Sequence, residues 1–462
     1  MYFFLIKNKD VATVVYVQNR CFLSTLFVLR AHVLTMYVFC IAATVLLFTS
    51  DLLLQQHLIN NLYMRNSLLT LVGFLLFVLG GCRPTPVAVS DIISDNIGNA
   101  VAQYSSQVKL IENTKEILNP RTLDKEGNIV YVSYSDWTSG FFPGSIWHLY
   151  NLTEDEEWKT LAVKYTEALD SAQYLTWHHD VGFMIGCSFL NGMRVGGMDY
   201  RSVIVQAAKS LSTRFRGKAG VFQSWDADKG WQAKRGWKCP VIIDNMMNLE
   251  ILFEAARLTG DSIYYTMAVS HADKTLQNHF RADYSSYHVV DYDPETGEVR
   301  SKQTAQGYAD ESAWARGQAW ALYGYTMCYR YTYNTEYLMQ AQNIYNFIFT
   351  NKNLPTDLIP YWDYDALNIP NEPRDVSAAA ITASALYELD TYLPGTKYKE
   401  TADLIIETLS TSAYRAEEGT NGFFLLKHSV GSIPHGQEID VPLNYADYYF
   451  LEALMRKRDL EK

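Results

Sequence analysis

The sequence predicts an all-α fold, a closed ring of about six helical hairpins. Three observations predict it. From about residue 95 onward the apolar residues recur mainly at helical spacing. The same punctuation returns between the periodic segments, at Thr153 to Trp158, Thr259 to Tyr264 and Thr332 to Tyr337: Thr, any residue, Asp or Asn, two more residues, an aromatic. No low-complexity linker splits residues 95 to 455.

Each junction has a physical reading. Asp155, Asp261 or Asn334 can cap the following helix by accepting from its orphan N–H groups, while the aromatic packs back on the preceding helix. Weaker versions lie at Gly197 to Tyr200 and Leu393 to Tyr398. Counting outward from the junctions places helices near 95–118, 143–151, 154–176, 181–193, 199–214, 244–258, 261–279, 311–332, 334–350, 374–390, 396–413 and 441–455, about twelve in all. Tyr287 to Val290, leading into Asp291 to Gly297, reads as a small β-hairpin inserted between helices. An open helical solenoid is the competing arrangement of the same hairpins.

The first 81 residues read differently. Residues 1–63 hold apolar stretches such as Val33 to Phe48, interrupted by Arg20 and Arg30, and are expected to be a non-native or membrane-associated extension. Residues 64–81 resemble a lipoprotein signal peptide: Arg65 is the basic n-region, Leu68 to Leu79 the apolar core, and Leu79-Gly80-Gly81-Cys82 a small-residue site ending in the cysteine that would be lipidated. A second membrane helix is the alternative, for which the run is short. Residues 82–94 are expected to be a linker and 95–458 a catalytic domain on the periplasmic side or outer membrane of a Gram-negative bacterium, touching membrane only through its anchor. Cys187, Cys239 and Cys328, widely spaced, make no disulfide framework and are expected to be buried thiols.

A net charge of -11 argues against nucleic acid as a partner, so an acidic ligand must be met by local positive charge. The 33 Tyr and 10 Trp supply flat rings of the kind on which sugar faces stack, although most such rings fill cores. The unusual segments fall between helices or at their starts. Trp137 to Gly144 joins aromatics, two glycines and a helix-starting proline. Trp177 to Phe183 sets Asp180 among rings, and Pro240 to Asn248 sets Asp244 after an apolar run. A carboxyl group so placed should have a raised pKa, further raised by a second carboxylate, and can then serve as a general acid. Each Asp is equally well explained as a helix cap. Asn248, four residues after Asp244, would share its helix face and orient it. In the third cluster, Gln306 to Trp320, the residues Ser312, Arg316 and Trp320 form one helical stripe, on which Arg316 could grip a substrate carboxylate with Trp320 under the sugar; an ordinary surface ion pair is the plainer account of the arginine.

Adjacent His178 and His179 do not make a metal site, and Asp226 to Gly230 fails as a calcium loop because Trp237 stands where the bidentate Glu belongs. There is no phosphate-cradling Gly-rich loop and no Gly-x-Ser-x-Gly elbow.

Taken together and in order, Trp137 to Gly144, His179-Asp180 with Gly182-Phe183, Ile243 to Asn248, Gln306 to Trp320 and Val441 to Leu454 resemble the unsaturated glucuronyl hydrolases, glycoside hydrolase family 88, over roughly residues 95–456. The resemblance implies an (α/α)6 barrel and no metal or organic cofactor. It implies a substrate left by polysaccharide lyases, an oligosaccharide ending in a 4,5-unsaturated uronate, and so a place beside lyases and sulfatases. The C4=C5 bond would be hydrated, not the anomeric carbon attacked: Asp244 protonates C4 and helps water add at C5, and the hemiketal opens and expels the remaining sugar. Asp180 matches the second essential carboxylate. Substrate contacts carry over to Trp137, His179, Trp231, His288, Gln306, Arg316 and Trp320, with Gln306 and Arg316 near the uronate carboxylate. Lys427, His428 and Ser429 fall where the next sugar would bind. Rival readings are an unsaturated rhamnogalacturonyl hydrolase, a sugar epimerase on a similar barrel, and a non-catalytic glycan-binding lipoprotein.

Overall fold

In a computed structural model, residues 89–114 and 116–462 are described; the expected extension, signal segment and Cys82 lie outside them. Twelve helical segments alternate between two layers. The outer layer holds α1 (Val89–Glu112), α3 (Glu156–Glu167), α6 (Arg201–Ser212), α8 (Ser262–Asn278), α10 (Thr335–Thr350) and α12 (Tyr398–Leu409). The inner layer holds α2 (Phe141–Thr153), α4 (Val181–Ile185) continuing to α5 (Asn191–Arg194), α7 (Glu250–Thr259), α9 (Ala315–Thr332), α11 (Val376–Tyr392) and α13 (Asn444–Leu460). Each inner segment packs on the next, and α13 returns to pack on α2. The ring therefore closes, which makes an (α/α)6 barrel and rules out the open solenoid.

The repeated motif explains the hairpins. Asp155, Asp261 and Asn334 accept from the N–H groups of Glu157, Ile263 and Glu336, each at 3.0 Å, and cap α3, α8 and α10. Thr153, Thr259 and Thr332 accept from the N–H of those same capping residues. Between them Glu154, Gly260 and Tyr333 take left-handed backbone, with φ of 58°, 73° and 53°, which ends the inner helix and reverses the chain in two residues. Trp158, Tyr264 and Tyr337 are buried. Inner helix α11 is buried continuously from Val376 to Leu389, because its neighbours cover both faces.

The boundaries differ from expectation at places with local causes. Helix α1 starts at Val89, inside the expected linker, and ends at Glu112, because Asn119 and Pro120 open strand β1 (Asn119–Leu123), paired with β2 (Ile129–Val132). The expected helix 154–176 breaks after Glu167 and resumes as a 3-10 turn, Asp170–Tyr174. Between α4 and α5 the chain widens into a π stretch, Gly186–Leu190. The segment before α7 is a 3-10 helix, Ile243–Leu249, and α9 begins at Ala315. The inserted hairpin, β6 (Val289–Tyr292) with β7 (Val299–Gln303), gains a third strand, β5 (Cys239–Ile242), on β6; β3 (Phe215–Arg216) and β4 (Val221–Phe222) pair separately. A hairpin of β8 (Ser429–Ser432) and β9 (Gln437–Val441) precedes α13. Cys187, Cys239 and Cys328 are buried free thiols.

The connections are unequal. Three inner helices pass to outer ones through the tight capped turns, whereas outer helices pass to inner ones through longer segments, four of which carry the strands. All the long segments end at the N-termini of inner helices, where partial positive charge collects. At the other end, Arg194 pairs with Glu250 and Glu254, Arg330 with Glu250 and Glu388, and Arg456 with Glu388 and Glu452, a chain of ion pairs linking five of the six inner segments.

Candidate active site

A cavity of about 250 Å³ opens at the N-terminal end of the inner ring. Asp244, Asp180, Trp137, His179, Trp231, Gln306 and Arg316, all expected from the sequence, line it.

Asp244 enters from the turn where the chain leaves β5 for the 3-10 helix, a turn fixed by the Ile243 N–H donating to the His288 carbonyl at 3.0 Å. It is 8% exposed, and its Oδ2 has no hydrogen-bond partner. Burial pushes its pKa from 3.8 up to about 7; Arg316 opposes the rise and Asp180 adds to it. It does not cap a helix through its side chain. His288 stands behind it, with Nε2 3.8 Å from Asp244 Oδ2. The backbone N–H groups of Ala305 and Gln306 donate to its Nδ1, so the ring proton lies on Nε2, facing Asp244. Burial holds this imidazole neutral, well below its usual pKa. His288 is 3% exposed and outside the cavity lining, standing behind Asp244 as its support.

Asp180 precedes α4. Asn248 Nδ2 donates to its Oδ1 at 3.3 Å, while Asn248 Oδ1 accepts from the Phe183 N–H at 2.9 Å. Asn248 thus orients Asp180 and not Asp244. The expectation assumed an α-helix, in which residues four apart share a face; in a 3-10 helix the period is three, and Asn248 turns away from Asp244. Gly182 makes this approach possible, since a Cβ there would lie 2.5 Å from Asn248 Oδ1 and Cα. Asp180 Oδ2 lies 3.3 Å from His178 Nδ1 and 3.2 Å from His179 Nε2. Burial raises its pKa, and His178 and the Asn248 bond partly offset the rise.

Arg316, in the first turn of α9, is 1% exposed. Its Nη1 donates to Asp375 Oδ2 at 3.1 Å and to the Val430 carbonyl, its Nη2 to the Gly431 carbonyl at 2.7 Å, and its Nε has no partner. The guanidinium lies over Trp314 and Tyr445. Three of its five N–H groups are committed to the protein; it offers a fixed positive charge and the remaining N–H groups, on Nε and Nη2. Gln306 is tied to the same strand, donating to Gly431 O at 3.2 Å.

Trp320 also stands apart from the lining. It is fully buried against Phe183 and Tyr449 and does not line the cavity. The stripe with Arg316 is real, but four residues along a helix descend about 6 Å, which carries Trp320 below the cavity floor. Ser312 lies before the helix starts and bonds Asp363 at 2.7 Å. Nor do Lys427, His428 and Ser429 line the cavity: Lys427 donates to Ser412 O, His428 pairs with Asp440, and Ser429 is buried.

Sequence reasoning missed the remaining wall. Arg121 on β1 bridges to Glu438 on β9, Nε to Oε1 at 2.6 Å and Nη2 to Oε2 at 3.0 Å, and also pairs with Asp136. Trp225, Ser432 and His435 complete the mouth, with the His435 and Trp231 rings 5.0 Å apart. None carries a local signal, apart from Tyr445 inside the C-terminal segment already singled out. Among the described residues no group of His, Cys, Asp and Glu can hold a metal ion.

Known proteins resemble this chain over most of its length. Residues 114–456 match the model of Glycosyl Hydrolase Family 88. An unsaturated glucuronyl hydrolase of Formosa agariphila is 44% identical over 370 residues, 79% of this chain and 91% of the relative. An unsaturated chondroitin disaccharide hydrolase of Streptococcus agalactiae is 35% identical over 332 residues, 70% of this chain and 81% of the relative. The crystal structure of an unsaturated glucuronyl hydrolase specific for heparin superposes with a TM-score of 0.76 at 43% identity, covering 80% of this chain and 98% of that one. The chain belongs to glycoside hydrolase family 88.

Proposed function

We propose that this chain is an unsaturated glucuronyl hydrolase that removes the 4,5-unsaturated uronic acid from the non-reducing end of lyase-generated glycosaminoglycan fragments. The carrying observation is Asp244: a buried carboxyl with a pKa of about 7 in a cavity that also holds the cation Arg316. Protonating an alkene carbon needs a neutral acid, and burial supplies one near neutral pH. The unsaturated uronate is an anion and a flat half-chair, suited to the Arg316 charge and to the rings of Trp137 and Trp231.

In this reading the Asp244 carboxyl gives its proton to C4, the C4=C5 electrons forming the new C–H bond. The ring oxygen stabilises positive charge at C5. Water then adds to C5 while its proton passes to the Asp244 carboxylate, which restores the acid. The hemiketal so formed opens, and the remaining sugar leaves. The relatives support a glycosaminoglycan source, since one is named for chondroitin disaccharide and one structure for heparin.

The test is turnover of unsaturated chondroitin, heparin and rhamnogalacturonan disaccharides, followed by loss of the ultraviolet absorbance of the conjugated double bond. Loss with either glycosaminoglycan substrate is expected; loss only with rhamnogalacturonan, or binding without loss, overturns the reading. We further propose that Cys82 carries lipid and tethers the enzyme to a bacterial membrane. Labelling with a radioactive fatty acid checks this, and unchanged labelling of Cys82→Ser refutes it.

A further inference from the structure

The hydrogen bonds around Asp180 constrain a proton. Asn245 Nδ2 donates to the Phe222 carbonyl at 2.7 Å, and because a carbonyl only accepts, the orientation of that amide is fixed. Asn245 Oδ1 consequently faces His179 Nδ1 at 3.0 Å, and since this oxygen also only accepts, the hydrogen of the bond belongs to Nδ1. A neutral imidazole has one N–H, so His179 Nε2 presents a lone pair; it is buried without a hydrogen-bond partner and lies 3.2 Å from Asp180 Oδ2. From the other side, His178 Nδ1 accepts the Asp180 backbone N–H at 3.2 Å and lies 3.3 Å from the same Oδ2, a second lone pair. An ionised Oδ2 can accept from neither of these nitrogens and is repelled by both. One proton removes the conflict.

We infer that a proton resides between His179 Nε2 and Asp180 Oδ2, held there by Asn245, so that Asp180 enters the reaction as half of an uncharged dyad. The net charge is zero whether the hydrogen sits on oxygen, as carboxylic acid and neutral imidazole, or on nitrogen, as carboxylate and imidazolium. Burial favours this outcome, because it penalises any uncompensated charge on either partner. The other groups acting on Asp180 are Asn248, which donates to Oδ1, and Asp136 and Arg214, which act with opposite signs; Asp244 shares the cavity. The chemical consequence is that an anionic sugar meets no uncompensated negative charge at Asp180. His179 and Asn245 are thereby positioning residues for the proton, and His179 lines the cavity without needing to grip the substrate.

Two spectroscopic measurements on the full chain test this without reference to turnover. The first is nitrogen-15 NMR of histidine-labelled protein, which reads whether His179 is neutral or an imidazolium. The second is the infrared difference between wild type and Asp180→Asn at about pH 9, far enough above the Asp244 pKa of about 7 that Asp244 is ionised and drops out. Any acid signal from buried Asp447, pushed up to about 8, is common to both samples and cancels. Either an imidazolium at His179 or a carboxylic-acid band assigned to Asp180 is expected; a neutral His179 with no such band overturns the inference.

A kinetic arm rests on the proposed function. In His179→Gln an amide N–H can replace the lone pair and let Asp180 ionise, so KM for the anionic substrate should rise roughly tenfold, more than kcat falls. An unchanged KM counts against the dyad. Absence of turnover with every unsaturated disaccharide defeats the proposed function alone, and the spectra still decide the proton.

Discussion

Replacing Asp244 by Asn separates chemistry from stability, and both magnitudes follow from one property of the site. The amide keeps the shape of the carboxyl but carries no transferable acidic proton. General acid–base catalysis contributes about 10² to 10⁴ in rate, so kcat should fall by that factor, about 3 to 5 kcal/mol of barrier, with KM changed only a few-fold. Stability moves the other way. The folded chain holds the Asp244 proton up to about pH 7, while an unfolded Asp releases it near 3.8. Below 3.8 both states are protonated and nothing is at stake. Between 3.8 and about 7 only the unfolded state ionises, so the wild type loses stability as pH rises; above about 7 the full cost stands. Keeping the proton across that pH interval costs the folded state about 4 kcal/mol, so Asp244→Asn should be more stable than wild type by up to that amount at pH ~8 and by less than ~1 kcal/mol near pH ~4. Decay of the substrate's ultraviolet absorbance and urea unfolding at the two pH values are the assays. A variant retaining activity within about tenfold of wild type, or a stability gain that is the same at both pH values, would show that Asp244 is not the buried proton donor.

The same geometry makes three further claims. Arg316→Met leaves Asp375 buried without its cation and should cost about 3–5 kcal/mol, part of which Arg316→Met with Asp375→Asn recovers, as read by urea denaturation. Trp231→Ala should raise KM with little loss of stability, because the ring is exposed at the mouth, whereas Trp320→Phe should lower stability by about 1–3 kcal/mol with KM unchanged; steady-state kinetics and melting curves on the pair check the assignment. Removing a junction cap by Asn334→Ala should cost about 1 kcal/mol without touching kcat, and a loss below a few tenths would mean that the repeated motif does not act through capping.

The barrel was legible because its hairpins repeat a local device. A Thr, an Asp or Asn and an aromatic at fixed offsets mark a reversal wherever they occur, so Thr153, Thr259 and Thr332 located three of the five inner-to-outer turns. Asp180 and Asp244 were legible for another reason: acids isolated among apolar and aromatic residues stand out in the chain, and that isolation is what raises their pKa. What stayed hidden depends on long-range pairing or on depth. Arg121 and Glu438 meet from distant parts of the chain, and neither has a neighbour that announces the bridge. Trp320 shares a face with Arg316, but periodicity reports direction and not distance from the mouth. Apart from the hairpin after Tyr287, the short strands fell below the length at which alternation can be read, and the 3-10 character of Ile243–Leu249 displaced Asn248 from the acid it was expected to orient.

The ion-pair chain from Arg194 through Arg330 to Arg456 also bears on how an oligosaccharide is consumed. With the bottom of the barrel bolted by charge and the top open, the recess is a cul-de-sac. A sugar in the middle of a strand has a neighbour on each side and cannot be threaded in, so only a terminus fits. Both fragments must then back out through the doorway they came in by, and every bond cut requires a fresh arrival.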